Sequence, residues 1–138
     1  MIIGEEVTLK TKGFSDIINI TETVSSIVKK SGIKEGIAHI FNIGSTGSIS
    51  TIEYEGALVE DYKEKLEDLI PSTMRSRHSE TWGDDNGFSH IRATLMGPNL
   101  TVPVTNGSLV LGTWQQIIVV DHDNRPRNRR VFVQVFGE

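Results

Sequence analysis

The chain contains no cysteine. That removes disulfides, thiolate nucleophiles and sulfur-rich zinc sites, and leaves nitrogen and oxygen as the only donors for any metal. Positive charge is also in short supply, with 14 lysines and arginines against 18 acids and a formal net charge of -4. No global field favours nucleic acid or an anionic membrane surface, and neither is expected as a partner. Long apolar runs are missing too. The opening stretch MIIGEEVTLKTKGF carries Glu5 and Glu6 and reads as neither a signal peptide nor a membrane span, so a cytoplasmic location is expected. What remains is an ordinary globular composition, 37% hydrophobic over 138 residues, enough for one core, and residues 1–138 are read as a single domain.

Periodicity points to an α+β class: a β-rich, sandwich-like domain with two helices on one side. Glu6 to Thr11 alternates, and Ile17 to Ile20 and Gly36 to Ile43 are β-branched. Ser48 to Tyr54 follows a Gly44-Ser45-Thr46-Gly47 turn. Thr21 is positioned to cap a first helix ending at Gly32, and apolar residues at helical spacing from Leu58 to Ile70 give a second, stopped by Pro71. The remainder reads as strands: Ile91 to Met96, Leu100 to Val104, Leu109 to Leu111, Ile117 to Asp121 and Val131 to Phe136. Asn106-Gly107 is a strong hairpin signal, and Pro103 argues for an edge or a bulge. Exposed strand edges in such a domain must be blocked or paired, and oligomerisation is one solution.

The segment His78 to His90, HSETWGDDNGFSH, concentrates two imidazoles and several acids in one polar stretch. Neutral imidazole and carboxylate are transition-metal ligands and, near neutral pH, general acids and bases. His78 and His90 with a carboxylate from Asp84, Asp85 or Glu80 make a candidate metal site with open positions, Asn86-Gly87 turning the chain so that the rings converge. A solvated loop whose histidines bond to backbone is the competing reading. His90 is expected at the start of a strand, which places Arg92 on the same face as a phosphate contact, alongside Arg75 and Arg77. Ser45 and Thr46 offer hydroxyls to an anion, as backbone nests do, although the turn lacks the lysine and spacing of a P-loop. Glu53, at a strand end, is a candidate base or ligand, and Thr113 and Gln115 are candidate pocket residues beside Trp114, which reads equally well as a core anchor. His39 and His122 read as structural or exposed, and Arg125, Arg127, Arg129 and Arg130 as a solvated or intersubunit basic tip.

Three blocks together, GSLVLGTWQQIIVVD at Gly107 to Asp121, HSETWGDDNGFSH, and the closing RRVFVQVFGE, resemble the YjbQ-like family over almost the whole chain. The resemblance implies a β-rich sandwich, a homotrimer, and a polar site near subunit boundaries that holds a divalent metal, zinc or magnesium. It also implies a secondary thiamine-phosphate synthase activity, joining a pyrimidine diphosphate to a thiazole phosphate. Under it His78, Asp84 and His90 would hold the metal, Arg92 the phosphate, and Glu53 would orient or deprotonate, with His78 and His90 the catalytic imidazoles. Two positions depart from the family: many members have a histidine-threonine pair where this chain has Gly44-Ser45, and a third histidine where it has Phe88. A metal-dependent hydrolase on the same residues and a non-catalytic trimeric module binding a metal or a small phosphorylated or heterocyclic ligand are the alternatives.

Overall fold

In the computed structural model, which describes residues 1–138, strands β1 (Ile2–Thr11) and β2 (Asp16–Asn19) lead into helix α1 (Thr21–Ser31). Strands β3 (Gly36–Ile43) and β4 (Gly47–Glu53) follow, then helices α2 (Gly56–Leu69), α3 (Arg77–Trp82) and α4 (Gly87–Met96). Strands β5 (Asn99–Thr105), β6 (Ser108–Leu109), β7 (Gln115–Asp121) and β8 (Arg127–Gly137) finish the chain. The strands form two antiparallel sheets, one in the order β1-β8-β3-β5-β6 and one in the order β2-β7-β4. The α+β class read from periodicity is the class observed.

The sheets face one another. Ala38 and Ile40 of β3, Val102 and Val104 of β5, and Val131, Val133 and Val135 of β8 point inward. They meet Ile49 of β4 and Ile117 and Val119 of β7, with Val24, Ile27 and Val28 of α1 in the same cluster. Each fully buried valine or isoleucine contributes on the order of 2 kcal/mol. The alternate residues of β7, Ile118 and Val120, face the other way and pack with Ile17, Val59 and Tyr62 of α2, and Met96 of α4. Strand β7 is covered on both faces, which is why Ile117 to Val120 is a continuous apolar run. The opposite face of the five-stranded sheet has no such cover: paired positions Ile2 and Phe136, and Phe41 and Phe132, carry aromatic and aliphatic side chains outward.

Several local expectations need correction. There are four helices, not two: α2 and α4 cover the three-stranded sheet while α1 packs into the main core, and α3 is a short extra turn. Thr21 does not cap α1. Asn19 Oδ1 accepts from Thr21 N–H at 3.0 Å, and the Thr21 hydroxyl instead accepts from Ile117 N–H at 2.8 Å, tying α1 to β7. Ile91 to Met96 is helical rather than extended. The buried residues of α4 are Gly87, Phe88, Ser89, Arg92 and Ala93, a helical spacing concealed because Ser89 and Arg92 are polar, while Leu95 is left exposed. Asn106 and Gly107 do form the β5–β6 hairpin turn, both with positive φ (50° and 75°).

Candidate functional site

Two short helices and the corner between them set the site. The Ser76 hydroxyl caps α3 by accepting from Ser79 N–H at 3.1 Å, and Gly83 closes it in the left-handed conformation, its N–H donating to Ser79 C=O at 2.7 Å. Asp85 also has a positive φ, so the reversal lies at Gly83 to Asp85, and Asn86-Gly87 opens α4 rather than making the turn. The following β7–β8 connection clamps this corner: Asn124 Nδ2 donates to Asp84 C=O at 2.8 Å and Asn86 Nδ2 to Asp123 Oδ1 at 3.2 Å. Gly87 packs on Ser76 so closely that any Cβ would overlap its hydroxyl, which lets α4 lie directly against the start of α3.

This packing brings His78 and His90 together, ring centroids 4.5 Å apart and planes tilted by 43°. Asp84 Oδ1 lies 3.2 Å from His78 Nδ1 but outside hydrogen-bonding direction, so that buried nitrogen has no hydrogen-bond partner. Burial lowers the His90 pKa below its ordinary value, and the neighbouring His78 adds to the effect against the pull of Asp123 and Asp84. Neutral His90 is therefore favoured near pH 7, the form that ligates a metal or accepts a proton. The pair opens onto a cavity of about 510 Å3 lined also by Arg75, Arg77 and Glu80. Glu80 is engaged by Arg75 at 2.7 Å, and Asp85 is exposed, leaving Asp84 as the carboxylate nearest the rings.

His90 also borders a second cavity, of about 410 Å3, between the Gly44–Thr46 turn, Asp84 and Asn86 of the corner, and Arg127 and Arg129 of β8. Beneath it lies a buried polar network. Asp121 accepts from the Arg129 guanidinium at 2.6 Å, from Asp123 N–H at 2.9 Å and from the Thr11 hydroxyl. Asp123 accepts from Thr46 Oγ1 at 2.9 Å and Arg127 Nε at 2.9 Å, besides Asn86. Burial alone would raise the Asp123 pKa. Hydrogen bonds from Asn124 N–H, Thr46 and Asn86, with the charge of Arg127, outweigh it and hold the carboxyl below its usual range. Arg127 and Arg129 are thus built into the site rather than standing on a solvated tip. Their i, i+2 spacing on a strand was the available signal, since it turns both guanidiniums to one face.

Other sequence candidates lie elsewhere. Arg92 does not share a face with His90, because residues two apart on a helix are about 200° apart. It is 2% exposed, donating to Ile70 C=O at 2.6 Å, Ser15 Oγ at 3.2 Å and Glu67 at 3.0 Å, and its guanidinium lies 4.9 Å from the Phe88 ring centre. Arg92 is thus a strut between α4, the end of α2 and the β1–β2 turn, not a phosphate contact. Phe88 is buried on that same side, two residues and about 200° around the helix from His90. Glu53 pairs with Gln115 at one end of the β4–β7 ladder and Gly47 with Asp121 at the other, six steps or roughly 20 Å away. Glu53, Thr113 and Gln115 are exposed there, beside a Trp114 that is 71% exposed and anchors no core. Within one chain they do not join the imidazoles. His39 bonds to Thr101 on the outer sheet face. His122 is wholly buried, Nε2 2.9 Å from Ser48 Oγ and Nδ1 without a partner. Burial, with the charges of Arg92 and Arg129 against that of Asp121, lowers its pKa to about 4.

Taken together, the fold and this corner define a class of small α+β protein, two facing antiparallel sheets carrying a helical corner with paired imidazoles over an arginine–aspartate network. The chain belongs to the YjbQ-like family: the family model for UPF0047 protein YjbQ-like matches residues 5–138. It is 41% identical to a UPF0047 protein of Methanothermobacter thermautotrophicus over 137 residues, 99% of this chain and 94% of that protein. A UPF0047 protein of Archaeoglobus fulgidus is 37% identical over 129 residues, 94% and 98% of the two chains. Among solved structures, a YbjQ-like protein of Sulfolobus solfataricus superposes with a TM-score of 0.94 at 35% identity, covering 100% of this chain and 99% of that one.

Proposed function

We propose that the protein is a metal-assisted transferase of the thiamine-phosphate synthase type, with the facing His78 and His90 imidazoles as its reactive centre. The single observation supporting this is their convergence at 4.5 Å, achieved by a corner that three separate hydrogen-bonding devices hold in place. In the reaction the carbon–oxygen bond between a pyrimidine methylene and its diphosphate breaks, and the thiazole nitrogen bonds to that carbon as pyrophosphate leaves with the electron pair. The centre must therefore stabilise negative charge developing on the leaving group.

The side chains present suit a divalent metal in donor type: His78 and His90 would hold it, and two imidazoles favour zinc over magnesium, which prefers an all-oxygen shell. No cluster of three or more His, Asp or Glu side chains is arranged to hold an ion within one chain, so water or a second subunit would complete the shell. Such a metal supplies positive charge to the departing pyrophosphate. Asp84 Oδ1, 3.2 Å from His78 Nδ1, is the carboxylate placed nearest that ring. Neutral His90 is fit to accept a proton or to ligate. A homotrimer belongs to the same reading, supported by the uncovered outer face of the five-stranded sheet, where Ile2, Phe41 and Phe136 are exposed. So does a cytoplasmic location, with which the absence of any helix long and apolar enough to cross a membrane is consistent.

The test is thiamine-phosphate formation by purified protein with added zinc or magnesium, run beside His90→Ala. Turnover in the wild type that falls at least 100-fold in the variant is expected for loss of a reactive imidazole. No turnover with either metal, or equal turnover in both proteins, would remove the synthase reading.

A further inference from the structure

The second cavity is not needed to explain the imidazole pair, yet it is constructed with equal care. Its polar network leaves two buried atoms of opposite character without partners. Arg129, 6% exposed, commits Nη2 to Asp121 and Thr46, but its buried Nε donates to nothing. Asn86, 5% exposed, donates Nδ2 to Asp123 while its buried Oδ1 accepts from nothing. Both residues line the same cavity. A buried donor or acceptor left unmade is costly, and a charged donor most of all.

We infer that this cavity is an oxyanion site, receiving a phosphate or pyrophosphate group between Arg127, Arg129, Thr46 and Asn86, beside His90. Asp121 and Asp123 do not oppose the anion as free charges, because both oxygens of each already accept from arginine, threonine, asparagine or backbone donors. They aim the guanidiniums. Arg127 uses Nε and Nη2 on Asp123 and keeps about a third of its side chain exposed on the cavity side of the fold. The acceptor at Asn86 Oδ1 adds selectivity: the complement carries a donor hydrogen next to its anionic oxygens, as a monoprotonated phosphate or pyrophosphate does. Arginine forks and hydroxyls are the donors that match such a group.

Gly44 is what keeps this cavity open toward Arg129. A Cβ built there would sit 3.2 Å from Arg129 Nη1, tighter than most contacts, and the residue's φ of +145° disfavours any side chain. Glycine at this position therefore leaves uncrowded a guanidinium nitrogen that a larger residue would meet. The inference deepens the synthase reading by naming what holds the phosphorylated end of its substrate, and rests on that reading only for the identity of the substrate.

The experiment is calorimetric titration of pyrophosphate, and separately of inorganic phosphate, into metal-free protein with chelator present. Wild type is compared with Arg127→Gln and Arg125→Gln. Arg127→Gln is expected to weaken pyrophosphate affinity at least 10-fold. Arg125→Gln, an exposed neighbour in the same basic stretch, is expected to change it less than 3-fold. Because removing Arg127 strips a partner from Asp123, a second readout uses the unaltered protein: the Arg129 Nε–H resonance is expected to shift downfield on adding pyrophosphate. No binding by wild type, equal loss in Arg125→Gln and Arg127→Gln, or an Arg129 Nε–H signal that pyrophosphate leaves in place would overturn the inference. Pyrophosphate binding without thiamine-phosphate formation would leave this site standing and remove the synthase reading. Turnover with unchanged pyrophosphate affinity in Arg127→Gln would do the reverse.

Discussion

His122 is the residue whose burial has the clearest measurable consequence. Its folded pKa of about 4 lies below the unfolded value near 6.5, so between those values the unfolded chain binds the proton and the folded chain does not. Stability is therefore complete above pH 6.5 and falls as the pH drops toward 4, by roughly 3 kcal/mol for a shift of this size. Urea titrations from pH 7.5 to 4 are expected to trace that loss, with a shallower slope in His122→Gln; parallel slopes in the two proteins would contradict the assignment. Arg92 makes a contrasting case. Arg92→Met removes bonds to Ile70 C=O, Ser15 and Glu67, and is expected to cost about 2–3 kcal/mol in denaturation while leaving pyrophosphate affinity unchanged. A selective loss of affinity in a fully stable variant would restore Arg92 as an anion contact.

Helices α3 and α4 act as one element, and Gly87 is the place where that unit is most easily broken. In Gly87→Ala the added methyl overlaps Ser76, so α4 must move away from the α3 cap. Followed by NMR, the His90 pKa is expected to rise toward its ordinary value as the ring leaves its buried position beside His78; an unchanged pKa would show that the corner does not depend on this contact. The same element marks how far sequence reading reached. Strands whose faces alternate, such as β3, and the Asn106-Gly107 hairpin were legible because period and turn chemistry are local. Helix α4 was not, since its buried face includes Ser89 and Arg92 and its exposed face includes Ile91 and Leu95, inverting the usual polarity. The proximity of His78 and His90 was legible from their shared segment. The roles of Asp121, Asp123, Arg127 and Arg129 were not, because their partners Thr11, Thr46 and Asn86 lie 37 to 110 positions away along the chain for the aspartates and 83 for Arg129.

At the scale of the whole molecule, one face of the five-stranded sheet lacks a covering layer while the other faces are packed. Apolar pairs across β1, β8 and β3, including Phe136 beside Ile2 and Ile37, form a surface suited to burial against further copies. Sedimentation equilibrium is expected to give three times the 15.3 kDa chain mass for the wild type and a smaller species for Phe136→Glu. A monomeric wild type would exclude the trimer. Whether two imidazoles from one helical corner act jointly is tested by a calorimetric zinc titration at pH 7. One zinc per chain in the wild type, with affinity reduced at least 10-fold in both His78→Ala and His90→Ala, is expected if the pair is the metal centre. Zinc bound equally well by either variant, or not at all by the wild type, would contradict it.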